Sequence, residues 1–293
     1  MHAEIAYRNQ PPGLMGLYGK ALLPKGKQSG GELTIPALSA SLIGVSTDNT
    51  DLARYARVCG FANSHHVPLT WPHIMAFPLH LKLLTDKRFP LPLLGLVHLR
   101  NSITQHRPIG VGECLDIRVS LGNQQRTDRG LEFDLLTEAR ANGQLVWEES
   151  STTLFRQAAK AGADKPANKT PPSLERFANT VSVKAVESLG RQYGRISGDL
   201  NPIHMAALTA KAFGFPRAIA HGMWSKAHCL ARLEQSADWQ PGQPVTITCS
   251  FKKPLFLPGT AQLNWKKADN QISYQLLNSK GDAPHLSGEI WFG

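Results

Sequence analysis

This sequence predicts an α+β protein made of two copies of one unit, each an antiparallel sheet wrapped round a single long apolar helix. Three observations lead there. Residues 156–173, RQAAKAGADKPANKTPPS, are small, polar and basic with three prolines. They carry too little apolar surface to hold a structure and read as a linker between parts of similar size, 1–155 and 174–293. Each part then runs through the same order of elements: a mixed helical stretch, one strongly apolar helix, and strand-like runs separated by turn residues. Finally, the two helices align by residue, with His73-x-Met75-x4-His80 repeated as His221-x-Met223-x4-His228.

In the N-terminal part the apolar helix is HIMAFPLHLKLL, 73–84, and the strands fall at 95–106, 113–121, 131–140 and 144–155. In the C-terminal part the helix is 221–235, where Met223, Ala227, Leu230 and Leu233 fall near helical spacing and bury one face. Strands follow at 245–253, 260–267, 271–278 and 286–292, punctuated by Pro-Gly, Asp-Asn and Lys-Gly-Asp. Upstream, Tyr55-x3-Cys59-Gly60-Phe61 aligns with Tyr193-x3-Ser197-Gly198-Asp199. Tyr55 and His73 stand 18 positions apart, Tyr193 and His221 28 apart, so the first copy lacks about ten residues between its anchors.

Composition limits the function classes. The 293 residues are 42% apolar and 18% charged, an ordinary globular balance that excludes wholesale disorder and fibrous repeats. The longest apolar run, Leu91–Leu99, stops at Arg100, short of the ~18–20 residues a spanning helix needs, so no membrane insertion is expected. The start, MHAEIAYRNQPP, has no apolar stretch of the signal-peptide kind, and Cys59, Cys114, Cys229 and Cys249 show no metal or disulfide spacing. A cytoplasmic, reducing location is the expectation. Lys and Arg outnumber Asp and Glu by 32 to 22, which suits anionic partners. The positives are dispersed in pairs, without a basic run or aromatic-basic interleaving, favouring a phosphate-bearing small molecule over nucleic acid.

The stretch that carries chemistry is 193–222, YGRISGDLNPIHMAALTAKAFGFPRAIAHG. Pro202 drives Asn201 out of helical conformation; Asn201 is a good N-cap and Pro a good first residue, so a helix is expected from Pro202 to about Phe213, stopped by Gly214. With the cap between them, Asp199 and His204 can converge beyond the helix end. The terminus there favours an ionised Asp199 and a neutral His204, a pair able to bind and polarise one water. Gly222 opens the buried helix, and its free N–H is a natural donor to a polarised oxygen. No side chain on it hinders close approach of a ligand.

Tyr193-x2-Ile196-Ser197-Gly198-Asp199-x-Asn201-Pro202-Ile203-His204-x5-Ala210 resembles the hydratase-2 motif of the MaoC-like, (R)-specific enoyl-CoA hydratases, and Ile219-Ala220-His221-Gly222-Met223 resembles the segment that opens that family's central helix. The resemblance implies a double hot-dog fold with the two sheets joined, the first half being a degenerate copy. It implies a trans-2-enoyl or 3-hydroxyacyl thioester of CoA or of a carrier protein as partner, and no metal or redox cofactor. Asp199 and His204 would hold the water, Gly222 would donate to the thioester carbonyl, and Asn201, Ser197 and His221 would contact substrate or order the loop. Arg195, Arg217, Lys252 and Lys253 would reach CoA phosphates, or simply be solvated charges. The first copy has Phe61 in place of Asp199 and should be catalytically dead, and its missing residues would leave room for a longer acyl chain. A serine that some relatives carry further along the central helix has Leu230 near its place, beside His228 and Cys229. Lys226 within a buried helix would snorkel or meet a phosphate. His73, His80 and His228 read as packing residues. Other readings are a non-catalytic acyl-thioester binder and a hot-dog thioesterase, the last lacking its carboxylate on the central helix before Glu234. A monomer of two halves or a homodimer fits equally.

Overall fold

Along β8 (Val245–Phe251), Val245, Ile247 and Cys249 are buried while the residues between them are partly open. This period of two turns one face of each strand onto a helix. In the computed structural model, which describes residues 4–21, 33–62, 65–156, 174–236, 239 and 243–293, the elements before it are β1 (Glu4–Arg8), α1 (Leu14–Ala21), β2 (Ser39–Ser46), α2 (Leu52–Cys59), α3 (Trp71–Leu84), β3 (Leu96–Gln105), β4 (Cys114–Thr127), β5 (Gly130–Ala141), β6 (Gln144–Arg156), β7 (Asn179–Ala185), α4 (Leu189–Ser197), α5 (Pro202–Met205), α6 (Ala207–Lys211) and α7 (Gly222–Ser236). After β8 come β9 (Gly259–Ala268), β10 (Gln271–Asn278) and β11 (Pro284–Phe292).

Among the described residues the strands form one sheet in the order β1-β2-β4-β5-β6-β3-β8-β11-β10-β9-β7. Apart from β1, which pairs in parallel with β2, the sequence reads the same from either end once β2 to β6 are matched with β7 to β11. That symmetry is the duplication expressed in three dimensions, and the fold is a double hot-dog. The halves join through β3 and β8, antiparallel, with Asn101 opposite Cys249 and Ile103 opposite Ile247. The central helix α3 is buried on every side except at Phe77 and Lys82, as expected for a helix wrapped by a sheet. The predicted linker falls, past Arg156, outside the described residues. Among the described residues no helix is long and apolar enough to cross a membrane.

The predicted strands match closely; 271–278 coincides with β10. Three features differ. β1, β2 and β7 lie in stretches read as mixed or helical. In β2 the small residues Ser39, Ala40 and Ser41 give little apolar alternation, although the strand is buried there. The helix expected over 202–213 is broken: Ala206 is extended (φ −155, ψ 158), separating α5 from α6. The carbonyls that would continue it are taken elsewhere. Thr209 Oγ1 donates to Pro202 O (2.6 Å), the Ile219 N–H to Ile203 O (3.1 Å) and Arg191 to Met205 O (3.1 Å). Finally, Lys226 neither snorkels nor reaches a phosphate. It is fully buried, with Nζ donating to Asn101 Oδ1 across the junction of the halves.

Candidate active site

The residues that distinguish the second copy build α5 and α6 between α4 and α7, where the first copy runs from α2 towards α3 directly. Gly198 ends α4 in the left-handed region (φ 78), its N–H on Gly194 O (2.9 Å). A side chain is excluded there by backbone conformation and because a Cβ would stand 2.7 Å from Leu14. The chain therefore turns sharply and presents Asp199. The Asn201 N–H donates to Asp199 Oδ1 (3.1 Å), while Asn201 caps α5 by accepting from the Ile203 N–H (3.4 Å). Ser197 Oγ accepts from the Asp199 N–H (3.2 Å). Ser197 and Asn201 thus shape the loop and also line the cavity beside it.

His204 is fixed by its Nδ1, which donates to Ile219 O (2.8 Å), leaving the Nε2 lone pair free. His221 Nε2 donates to the Asp199 carbonyl (3.0 Å) and lies 3.8 Å from Asp199 Oδ2; its buried Nδ1 has no partner among the described residues. The two imidazoles stack with centroids 3.7 Å apart, and Tyr193 packs on His221 at 4.9 Å. One acceptor or donor atom from each of Asp199, His204 and His221 lies within 4.8 Å of the others. A water held at about 2.8 Å by two groups spans up to ~5.6 Å, so atoms at this spacing can share one molecule. Of the described residues these three would also be the ones to hold a metal. Two of the four imidazole nitrogens are already spent on backbone carbonyls, His204 Nδ1 on Ile219 O and His221 Nε2 on Asp199 O.

Burial alone would raise the Asp199 carboxyl; the imidazoles of His221 and His204 and the Asn201 N–H outweigh it and hold it below the usual carboxylate range. His204 is lowered chiefly by burial, against the pull of Asp199 and Ile219 O. His221 is pushed down to about 3 by burial and by His204. The ionised carboxylate and neutral imidazole are those expected, but the cause is different: α5 is a single turn, and burial with neighbouring side chains does what a helix terminus was expected to do.

Gly222 is the first residue of α7, so its N–H has no acceptor within the helix. A Cβ on it would meet the Phe251 ring at 3.0 Å, so the missing side chain makes room for an aromatic wall of the cavity rather than for a ligand alone. That cavity, ≈ 1140 Å³, is lined by Asp199, Asn201, His204, His221 and Gly222, and continues along the α3 face of His73, Phe77, His80, Leu81 and Leu84. Lys252 and Lys253 line it and are exposed, marking its rim. Arg195 and Arg217 do not: both are exposed away from it, with Arg217 on Pro258 O (3.2 Å). Among the described residues the arginines at the cavity are Arg100, Arg129 and Arg156, from β3, the turn leading into β5 and β6, the first two tethered to Glu132 at 2.7 and 3.2 Å. No local pattern marked them, because only the joining of the sheets brings them there. Ser225, one turn into α7, lines the cavity and donates to His221 O (3.3 Å), whereas Leu230 is fully buried.

Sequence reasoning also missed Tyr18. From α1 its hydroxyl donates to Gly198 O (2.7 Å) and accepts from the Leu200 N–H (2.8 Å), clamping the loop on both sides of Asp199. A lone tyrosine beside a short helix gives no signal of this.

A double hot-dog with a carboxylate, an imidazole and a free helix-opening amide around one cavity defines a class, the hot-dog hydro-lyases. Comparison with known proteins narrows it. Residues 168–286 match the MaoC like domain. The chain is 32% identical over 287 residues to the 3-hydroxyacyl-thioester dehydratase X of Mycobacterium tuberculosis, covering 96% of this chain and 98% of that one. The crystal structure of HtdX from that organism superposes with a TM-score of 0.74 at 34% identity, over 88% of this chain and 99% of the other. A MaoC-like dehydratase from Phytophthora capsici shares the fold at 18% identity (TM-score 0.70, 89% and 96% covered). This chain belongs to the MaoC-like dehydratase family and is a hydro-lyase.

Proposed function

We propose that the protein adds water reversibly to a trans-2-enoyl thioester to give the (R)-3-hydroxyacyl thioester, or dehydrates the latter. The observation that carries this reading is the gathering of Asp199 and His204, with one polar side-chain atom of each within 4.8 Å of the other, on the cavity that Gly222 also lines. The thioester follows from the name of the Mycobacterium relative, and the (R) hand from the motif around Asp199.

Asp199 as carboxylate and His204 through Nε2 are both acceptors, so the water between them donates both hydrogens and keeps an oxygen lone pair for C3. As that bond forms, the pair takes one proton and returns one to C2. Charge growing on the thioester oxygen is met by the Gly222 N–H; such a donor typically contributes ~3 kcal/mol. The chemistry needs a carboxylate, an imidazole, an amide and water, and no metal or redox group. Lys252 and Lys253 with Arg100, Arg129 and Arg156 give the rim the charge to hold CoA phosphates. The half 1–155 serves as wall rather than catalyst: Phe61, in the place of Asp199, is buried against Tyr55. The cavity's extension to Leu81 and Leu84 suits a long acyl chain. We place this chemistry in the cytoplasm and in a chain whose two halves pair internally.

Loss of enoyl-thioester absorbance with crotonyl-, octenoyl- and longer enoyl-CoA tests the reading. Asp199→Asn and His204→Gln should fold and each lose ~10²–10⁴ in kcat. No turnover at any chain length by the folded wild type overturns the function, and near wild-type turnover by either variant overturns its role.

A further inference from the structure

Deep in the N-terminal half, on the same cavity, lies a polar cluster the hydration chemistry does not use. His73 Nδ1 stands 2.8 and 2.9 Å from the two oxygens of Glu149, whose side chain is fully buried. Asn101 Nδ2 donates to Glu149 Oε1 (2.6 Å) and to Ser151 Oγ (2.8 Å), and Asn101 Oδ1 accepts from the buried Lys226. Glu149 is held down at about 2: burial, which would raise it, is overcome by His73 and then His80 and the Asn101 amide. His73 was expected to be a packing residue. Instead it ends a chain of charges and amides that runs from α7 through the sheet junction to the cavity wall.

A carboxylate can only accept, so His73 Nδ1 carries a hydrogen toward Glu149. Its other nitrogen, Nε2, has no hydrogen-bond partner among the described residues, and His73 lines the cavity together with Ser151. Lys226 needs Glu149 as counter-charge and reaches it through Asn101; His73 serves that carboxylate through Nδ1 alone, which leaves Nε2 with no task in the network. The network joins the two halves whatever the ligand, but a channel for a plain hydrocarbon gains nothing from an imidazole nitrogen left without a partner at its wall. A polar group on the ligand accounts for it.

We propose that His73, oriented by Glu149, is a hydrogen-bonding station in the acyl channel that selects acyl thioesters bearing a hydroxyl group beyond the reacting carbons. A hydroxyl both donates and accepts, so it pairs with Nε2 whether or not that nitrogen carries a hydrogen. His73 is here a specificity residue, and the proposal rests on the acyl-thioester reading above.

The test is binding by calorimetry of saturated acyl-CoA of one length, compared with isomers whose single hydroxyl is walked along the chain beyond C3. In the wild type one hydroxyl position should bind about fivefold tighter than the plain chain, the value of one net hydrogen bond. His73→Asn keeps a donor where Nδ1 stood, so Glu149 and Lys226 stay paired, but removes the cavity-facing atom; the ratio of plain to hydroxylated Kd should fall to about one. His73→Gln keeps a polar atom near Nε2 and should retain part of the preference. A flat profile in the wild type, or an unchanged ratio in His73→Asn, overturns the station while hydration of plain enoyl-CoA stands. Failure of every acyl-CoA to bind overturns both readings.

Discussion

Tyr18→Phe isolates the clamp on the catalytic loop. The substitution keeps the ring in place and removes only the hydroxyl that donates to Gly198 O and accepts from the Leu200 N–H. Burial and the charge of Asp199 both push the phenol up from its ordinary value, so it remains protonated and both bonds persist at any working pH. Each bond contributes ~0.5–1.5 kcal/mol net, and losing both frees the loop on either side of Asp199 by ~1–3 kcal/mol. If Asp199 must be held still only while it orients the water, that energy falls on the transition state. At 1.36 kcal/mol per tenfold it lowers kcat/KM by roughly 5- to 150-fold. The assay is steady-state hydration of one enoyl-CoA, with the melting temperature as a check on folding. A folded Tyr18→Phe enzyme with kcat/KM within twofold of wild type refutes the reasoning: the loop would then be fixed by Asn201 and His221 alone.

Two predictions concern pH. Because burial keeps His204 neutral below its usual 6.5, kcat/KM should stay level as pH falls through 6.5 and decline only below it, as His204 takes a proton; an acid limb centred at or above 6.5 contradicts this. Burial chiefly also lowers His80 to about 3, His98 to about 4 and His221 to about 3. Between those values and 6.5 the unfolded chain binds protons that the folded one refuses, so stability rises with pH in that window and is lost on acidification, by up to about 1.4 kcal/mol per pH unit for each histidine. Glu149 acts in the same direction lower down: its contribution is present above its ordinary 4.5 and is lost as pH falls towards 2. Melting temperatures at successive pH values from 7.5 to 4.5 check this, and a constant value from 6.5 to 4.5 is the refuting result.

The joint between the halves carries an energetic tension that bears on both. Lys226, Asn101, Glu149 and His73 are all buried, and each is hydrogen-bonded to the next. Breaking such a network by removing one partner costs ~3–5 kcal/mol. The network ties β3 to α7 and reaches the cavity through His73, so the acyl channel and the union of the two halves meet at that residue.

Much of this protein is written in short stretches of its chain. The two apolar helices and the later strands of each half follow from periodicity, and Asp199, Asn201, His204, His221 and Gly222 come together because they sit within 24 residues, around one glycine turn and one helix start. Burial direction and cap chemistry are local properties, and a local pattern reports them. What the tertiary structure decided is everything that joins distant segments. Tyr18 reaches a loop 180 residues away, Lys226 meets an amide 125 residues back, and Arg100, Arg129 and Arg156 arrive at the cavity from the other half. Likewise, α5 stops at Ala206 because Thr209 and Ile219 compete for its carbonyls. Such partners are chosen by sheet order and strand register, which are set by the packing of the whole chain rather than by the periodicity of any one stretch of it.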